Sequence, residues 1–209
     1  MPIIEARSEH PYAPYIPKGA TRLIVGTIPP YRFCVKPQVL LDGDVDFYYG
    51  SRDNCFWELI CEVAKGKADL SNENTENAIE QRKALLGSLK TGITDIVRSC
   101  VHKDGKSDDN SLMDIEQKPL AELLKEHLDI DTLLYTSNFL VSQINKIADK
   151  SRHENWTRGP RGKEGAVLIG GKKYGVVVLY SPSPLALRGL GKGGCEKRRV
   201  QYTRVFMPS

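Results

Sequence analysis

Two apolar runs, far apart in the chain, each break into a proline-rich loop: LIVGTIPPY at residues 23–31 and VVVLYSPSPLALRG at 176–189. Short blocks of Leu, Ile and Val with no helical period, bounded by Gly or Pro, predict strands buried on both faces. Strands of that kind belong to parallel sheets covered by helices. In an open α/β sheet the ligand lies beyond the carboxyl ends of the strands. Gly26 to Pro30 and Ser181 to Leu185 are therefore expected to face one crevice from opposite ends of the sequence.

The remaining segments supply the layers. Residues 1–20, with four prolines and no periodicity, predict an extended arm to which no chemistry is assigned. Residues 27–50 form a long irregular connection, of the kind that usually serves function. In SRDNCFWELICEVAKG, Phe56, Trp57, Ile60 and Val63 follow the 3.6 period, Asp53 or Asn54 can cap the start and Gly66 the end, which predicts a helix. Residues 70–90 predict a second helix, 91–100 a strand, SDDNSLMD a loop, 119–128 a helix, 132–137 a strand and 139–148 a helix. Gly170 and Gly171 predict a turn between two final strands. The order β, α, α, β, α, β, α, β, β predicts a three-layer α/β/α sandwich around a mainly parallel central sheet, a single domain over 1–209.

Composition narrows the function classes. No window approaches the roughly 18 apolar residues of a membrane span, and no basic start leads into an apolar stretch, so a soluble, cytoplasmic protein is expected. Cys34, Cys55, Cys61, Cys100 and Cys195 form an odd set with no CxxC pair, which predicts reduced thiols and no metal site. The net charge of +4 is modest, but a cationic, glycine-rich excess fills the last 60 residues, including Arg158, Arg161, Lys163, Arg188, Lys192, Lys197, Arg198, Arg199 and Arg204. That excess is either a solvated face or a set of phosphate contacts. GLGKGG at 189–194 has the look of a phosphate loop, but it follows the last strong strand with no helix predicted after it, so no nucleotide cofactor is expected.

Four segments, in order, resemble the uracil-DNA glycosylase superfamily, and within it the hypoxanthine-DNA glycosylase branch. GTIPP at 26–30 is similar to the family's first motif, and FYYGSRDNCFW at 47–57 to the aromatic stretch that leads to Asn and Phe-Trp in that branch. GITDIVRSC followed by SDDNSL resembles the strand and polar loop lining the base pocket, and SPSPLALRG at 181–189 resembles the second motif. The resemblance covers residues 22 to about 195. It implies a monomeric, metal-independent and cofactor-free enzyme that hydrolyses the N-glycosidic bond of a deaminated base, hypoxanthine or uracil, in DNA.

Such chemistry needs a flipped base held on an aromatic shelf, a positioned water and a partner for the departing base anion. The resemblance implies that Gly26, Thr27, Ile28 and Pro29 meet the base, with Phe47, Tyr48 or Tyr49 as shelf and Asp95 reading the base edge. The uracil-specific members carry Asp or Asn where this chain has Ile28, which cannot orient water, so that task falls to Asn54, with Asp53 as a base if it points inward. Ser181 replaces a histidine that hydrogen-bonds the departing base. Ser183 and Pro184 are expected to grip a phosphate, Leu185 to fill the gap left by the base, and Arg188 and Lys192 to lie beside the DNA backbone. Read without the resemblance, Asp53 or Asn54 is a helix cap, Leu185 a core residue, and Asp108, Asp109 and Asn110 a solvated loop, whereas the resemblance places Ser107 and Asp108 near the pocket. Two other classes stay open: a DNA-binding protein on the same fold that has lost catalysis, and a nucleotide hydrolase with metal-binding carboxylates from DGDVD at 42–46.

Overall fold

A computed structural model describes residues 7–64, 70–106, 108–150, 152–159 and 161–207, without the side chains of residues 187 and 188. The apolar runs form the strands β2 (Arg22–Gly26), β3 (Thr91–Asp95), β6 (Thr132–Tyr135) and β9 (Lys172–Val178), which pair in parallel in the order β3-β2-β6-β9. Alternate side chains on them project to opposite faces. Ile24, Leu134 and Val177 enter one core with α2 (Phe56–Val63), α3 (Glu76–Ser88) and α7 (Gly194–Phe206). Leu23, Val25, Leu133, Tyr135, Val176 and Val178 enter a second core with α4 (Leu120–Glu126) and α5 (Phe139–Asn145). Both faces are thereby covered, as the unbroken apolar runs require.

The sheet is mixed, where a mainly parallel one was expected. After β9 it continues antiparallel through β8 (Gly162–Ile169) and β7 (Glu154–Gly159). The reversal from β8 to β9 is made at Gly170 and Gly171, whose φ of 57° and 79° suit glycine. A second, three-stranded antiparallel sheet joins β1 (Arg7–Glu9), β4 (Val97–His102) and β5 (Leu112–Gln117). The run 91–100, expected as one strand, divides at Ile96: its N–H bonds the carbonyl of Gly26 at 2.8 Å, and the chain then leaves the central sheet. The end of the expected loop SDDNSLMD, residues 112–114, forms β5 together with 115–117. The N-terminal arm is a strap, tied by β1 to β4 and by Tyr15 to Ile93.

The C-terminal segment also differs from expectation. Helix α7 does follow GLGKGG, with Gly193 in left-handed conformation at its cap. Its apolar face buries Tyr202, Val205 and Phe206, and the basic residues interleaved with them hid that stripe. Arg198 is only 2% exposed, so it belongs to the core rather than to a phosphate-facing surface. Among the described residues no helix is long and apolar enough to cross a membrane.

Candidate functional site

The carboxyl ends of β2, β3, β6 and β9 open onto a cleft of about 520 Å³. Both proline loops reach it: Thr27, Ile28, Pro29 and Pro30 form one wall, and Ser181, Pro182, Ser183, Pro184 and Leu185 another. Asp53 and Asn54 enter from the start of α2, Asp95 from the end of β3, Thr136 and Ser137 from beyond β6, and Asp109 from the polar loop before β5. The crevice expected from two distant strand ends is thus formed.

Asp95 and Tyr49 build the floor. Asp95 sits level with Gly26 in the pairing of β2 and β3. A Cβ at Gly26 would overlap Asp95 Oδ1 and the Tyr49 hydroxyl, so only glycine lets both approach the end of β2. Gly26 itself lies behind that surface. Tyr49 adopts a left-handed φ of 54°, stacks on Phe56 at 4.4 Å between centroids and shares a hydrogen bond of 2.8 Å with Thr136 Oγ1. Burial pushes its phenol well above the usual tyrosine value, followed by the charge of Asp95, so it stays a neutral hydroxyl. Tyr48 is not part of this shelf. It is 1% exposed and donates to the carbonyl of Ala13 at 3.1 Å, which fastens the strap.

The start of α2 carries two neighbouring groups with different surroundings. Asn54 Oδ1 accepts from the Phe56 N–H at 2.9 Å and caps the helix, which leaves its Nδ2 donor for the cleft. The Asp53 carboxylate is 58% exposed, 3.4 Å from Arg32, and stays on the rim. Arg32 is held mainly by Asp44, with two contacts of 2.7 Å. Asp46 accepts from Tyr12 at 2.8 Å. The Asp44 and Asp46 carboxylates of DGDVD are therefore spent on structure. Among the described residues no group of three or more His, Cys, Asp or Glu side chains is placed to hold a metal ion.

Asp109, a solvated loop residue on the residues alone but part of the segment that the resemblance set at the base pocket, faces the cleft. Its carboxylate accepts from Ser137 Oγ at 2.9 Å and from the Thr27 hydroxyl. Burial raises its proton affinity above the ordinary carboxylate range, against those two donors, and the charges of Asp108 and Asp95 add to the rise. A half-buried carboxylate with raised proton affinity in a cleft is a proton acceptor candidate. On the residues alone the signal was faint, because a pair of Asp residues in a polar loop looks solvated until residue 137 is brought beside it.

The second proline loop is fixed from beneath. The buried Arg198 guanidinium donates to the Ser183 carbonyl at 3.0 Å and to Cys55 Sγ at 2.8 Å, while the Cys55 thiol donates to the Pro182 carbonyl at 3.2 Å. Burial nevertheless keeps that thiol above its usual proton affinity. Ser181 Oγ accepts from the Ser183 N–H at 3.3 Å, which leaves its own hydrogen for the cleft. Pro184 occupies the first turn of α6 (Pro184–Leu190), where its lack of N–H costs nothing. Leu185 is 56% exposed at the mouth, an unusual position for a leucine and not the core position its neighbours suggested. Lys192 lies on an exposed turn away from the cleft lining. The Arg188 side chain and Ser107 fall outside the described residues.

A solution NMR structure of a Methanosarcina acetivorans protein, provisionally described as a uracil DNA glycosylase, shares this fold with a TM-score of 0.56, at 17% identity over 96% of this chain and 99% of that one. At that identity the likeness speaks to fold. No family model and no curated protein matches the chain.

Proposed function

We propose that this chain is a DNA glycosylase of the uracil-DNA glycosylase superfamily, nearest to the hypoxanthine branch, which hydrolyses the N-glycosidic bond of a deaminated base. The observation that carries the reading is the convergence on one cleft of Asn54, Asp109, and Ser181 with the exposed Leu185, from three segments distant in sequence. The likeness in fold to a protein described as a glycosylase supports it.

In this reading Leu185 enters the stack as the damaged nucleotide leaves it, replacing lost apolar contact. The base slides onto the Tyr49 face, between the Thr27 to Pro29 wall and Asp95. The Ser183 hydroxyl holds a phosphate beside it. The Asn54 amide donates to the attacking water, and Asp109 takes the proton that water loses; the rim position of Asp53 makes it the poorer base. As the C1′–N bond breaks, its electron pair leaves with the base, and the Ser181 hydroxyl donates to the anion. The products are the free base, protonated by solvent, and an abasic sugar. Ile28 adds an apolar wall and no proton chemistry.

The test is strand scission by alkali after incubation with duplexes holding one hypoxanthine, one uracil or no lesion. Scission confined to the lesion supports the reading. Lesion binding without scission would favour a catalytically silent relative, an outcome that Ile28 and the capping role of Asn54 Oδ1 make worth testing.

A further inference from the structure

Asp95 faces two ways. One oxygen, Oδ2, is 2.7 Å from His10 Nε2, and the imidazole is 1% exposed. His10 Nδ1 accepts from the Tyr12 N–H at 3.0 Å and lies 3.0 Å from Lys118 Nζ; the Tyr12 carbonyl, 3.1 Å from the same nitrogen, is already served by Lys118 Nζ at 3.0 Å. Two donors aimed at Nδ1 place the ring proton on Nε2, so the chain runs from the Lys118 ammonium through the imidazole to a carboxylate that accepts. The other oxygen, Oδ1, takes no hydrogen bond from the described residues and lies over Gly26, in the floor of the cleft. A carboxylate whose back is satisfied and whose front is open is a fixed hydrogen-bond acceptor.

We propose that His10 and Lys118 hold Asp95 as an acceptor for a ring N–H, and that this contact separates a deaminated base from its own amino parent. Deamination turns an exocyclic amine into a carbonyl and puts a hydrogen on the neighbouring ring nitrogen, at N1 of hypoxanthine and N3 of uracil. Adenine and cytosine present a lone pair at the same place, which a carboxylate without a proton repels. A polar site left unpaired discriminates far more sharply than an apolar pocket of matching shape. The strap, which the sequence left without chemistry, thereby becomes part of the specificity apparatus: His10 and Lys118 are positioning residues, acting through Asp95. Burial lowers the Lys118 ammonium to about 8, so it is still charged at neutral pH.

The inference rests on the glycosylase reading for its substrate, and its test separates the two. Duplexes carrying hypoxanthine or 1-deazahypoxanthine, which has C–H in place of N1–H, are made with a 2′-fluoro sugar that blocks bond breaking, and binding is measured for the whole protein. The wild type is expected to prefer hypoxanthine by at least about tenfold. In Lys118→Met and His10→Leu that preference falls below about threefold, while His10→Gln, which still offers an N–H to Asp95, keeps most of it. Equal binding of the two duplexes by the wild type, or a preference unchanged in Lys118→Met, which leaves the strap's aromatic packing in place, would overturn the proposal. A preference in binding, with no excision from the natural sugar, would instead remove the glycosylase reading and leave the recognition step standing.

Discussion

One added methyl group probes the cleft floor. Gly26→Ala places a Cβ against Asp95 Oδ1 and the Tyr49 hydroxyl, and neither end is free to swing away. Asp95 is held by His10 at 2.7 Å, and Tyr49 by Thr136 at 2.8 Å and by its stack on Phe56. Either strand β2 must shift or one of those hydrogen bonds must break. Overpacking costs about 1–3 kcal/mol and a lost hydrogen bond about 1 kcal/mol more, so the substitution should destabilise by about 2–4 kcal/mol. For a chain of this length that is a fall in Tm of roughly 5–15 °C. The control is Gly189→Ala in α6, where a Cβ meets nothing within 4 Å and helix propensity favours alanine. Thermal and urea unfolding of both variants, scored beside base excision, make the assay. A Gly26→Ala protein within about 0.5 kcal/mol of wild type, with excision intact, would refute the close approach of Asp95 and Tyr49 to the end of β2.

Other substitutions divide the roles. Asp109→Asn should lower the rate of excision by roughly 10²–10⁴-fold with little change in DNA binding, while Asp53→Asn stays near wild type. Because burial raises the proton affinity of Asp109, excision in the wild type should fall on acidification at a pH above the ordinary value of 3.8, and stability gained from its protonation should be lost as pH rises through the same folded-state value; Asp109→Asn removes that stability contribution. Leu185→Ala removes a side chain 56% exposed, so Tm should hold within about 2 °C while kcat/KM for a paired lesion drops by roughly tenfold, and less for a lesion in single-stranded DNA. Arg198→Met strips the donors from the Ser183 carbonyl and Cys55, which should cost about 1–3 kcal/mol and speed amide exchange over residues 181–186, with KM rising more than kcat falls.

Much of the frame was legible because strands buried on both faces leave no choice of residue: LIV at 23–25 and VVV at 176–178 announce the centre of a parallel sheet, and the loops after them the cleft. What escaped depends on partners remote in sequence. The break at Ile96 is invisible in TGITDIVRSC, since no Gly or Pro stands at residues 95–97 and only the competing pairing with β1 and β5 separates the halves. Asp109 becomes a half-buried carboxylate through Ser137 and Thr27, and His10 meets its partners Asp95 and Lys118 only in the fold. Tyr48 and Tyr49, adjacent and alike in composition, part company because the left-handed turn at Tyr49 sends one ring towards the strap and the other to the cleft. Basic residues on α7 masked its apolar stripe, and Arg198 drew attention as a surface charge although it lies inside.

The central claim is that this cleft releases a base from DNA by hydrolysis with Asp109 as proton acceptor. Its most direct test is single-turnover release of free hypoxanthine and uracil from duplex DNA, followed by mass spectrometry in the presence of a chelator, for the wild type, Asp109→Asn and Asp53→Asn. The account predicts intact free base and an abasic strand from the wild type and from Asp53→Asn, with release nearly abolished in Asp109→Asn. Release lost with the chelator, release unaffected by Asp109→Asn, or no free base from any duplex would contradict it.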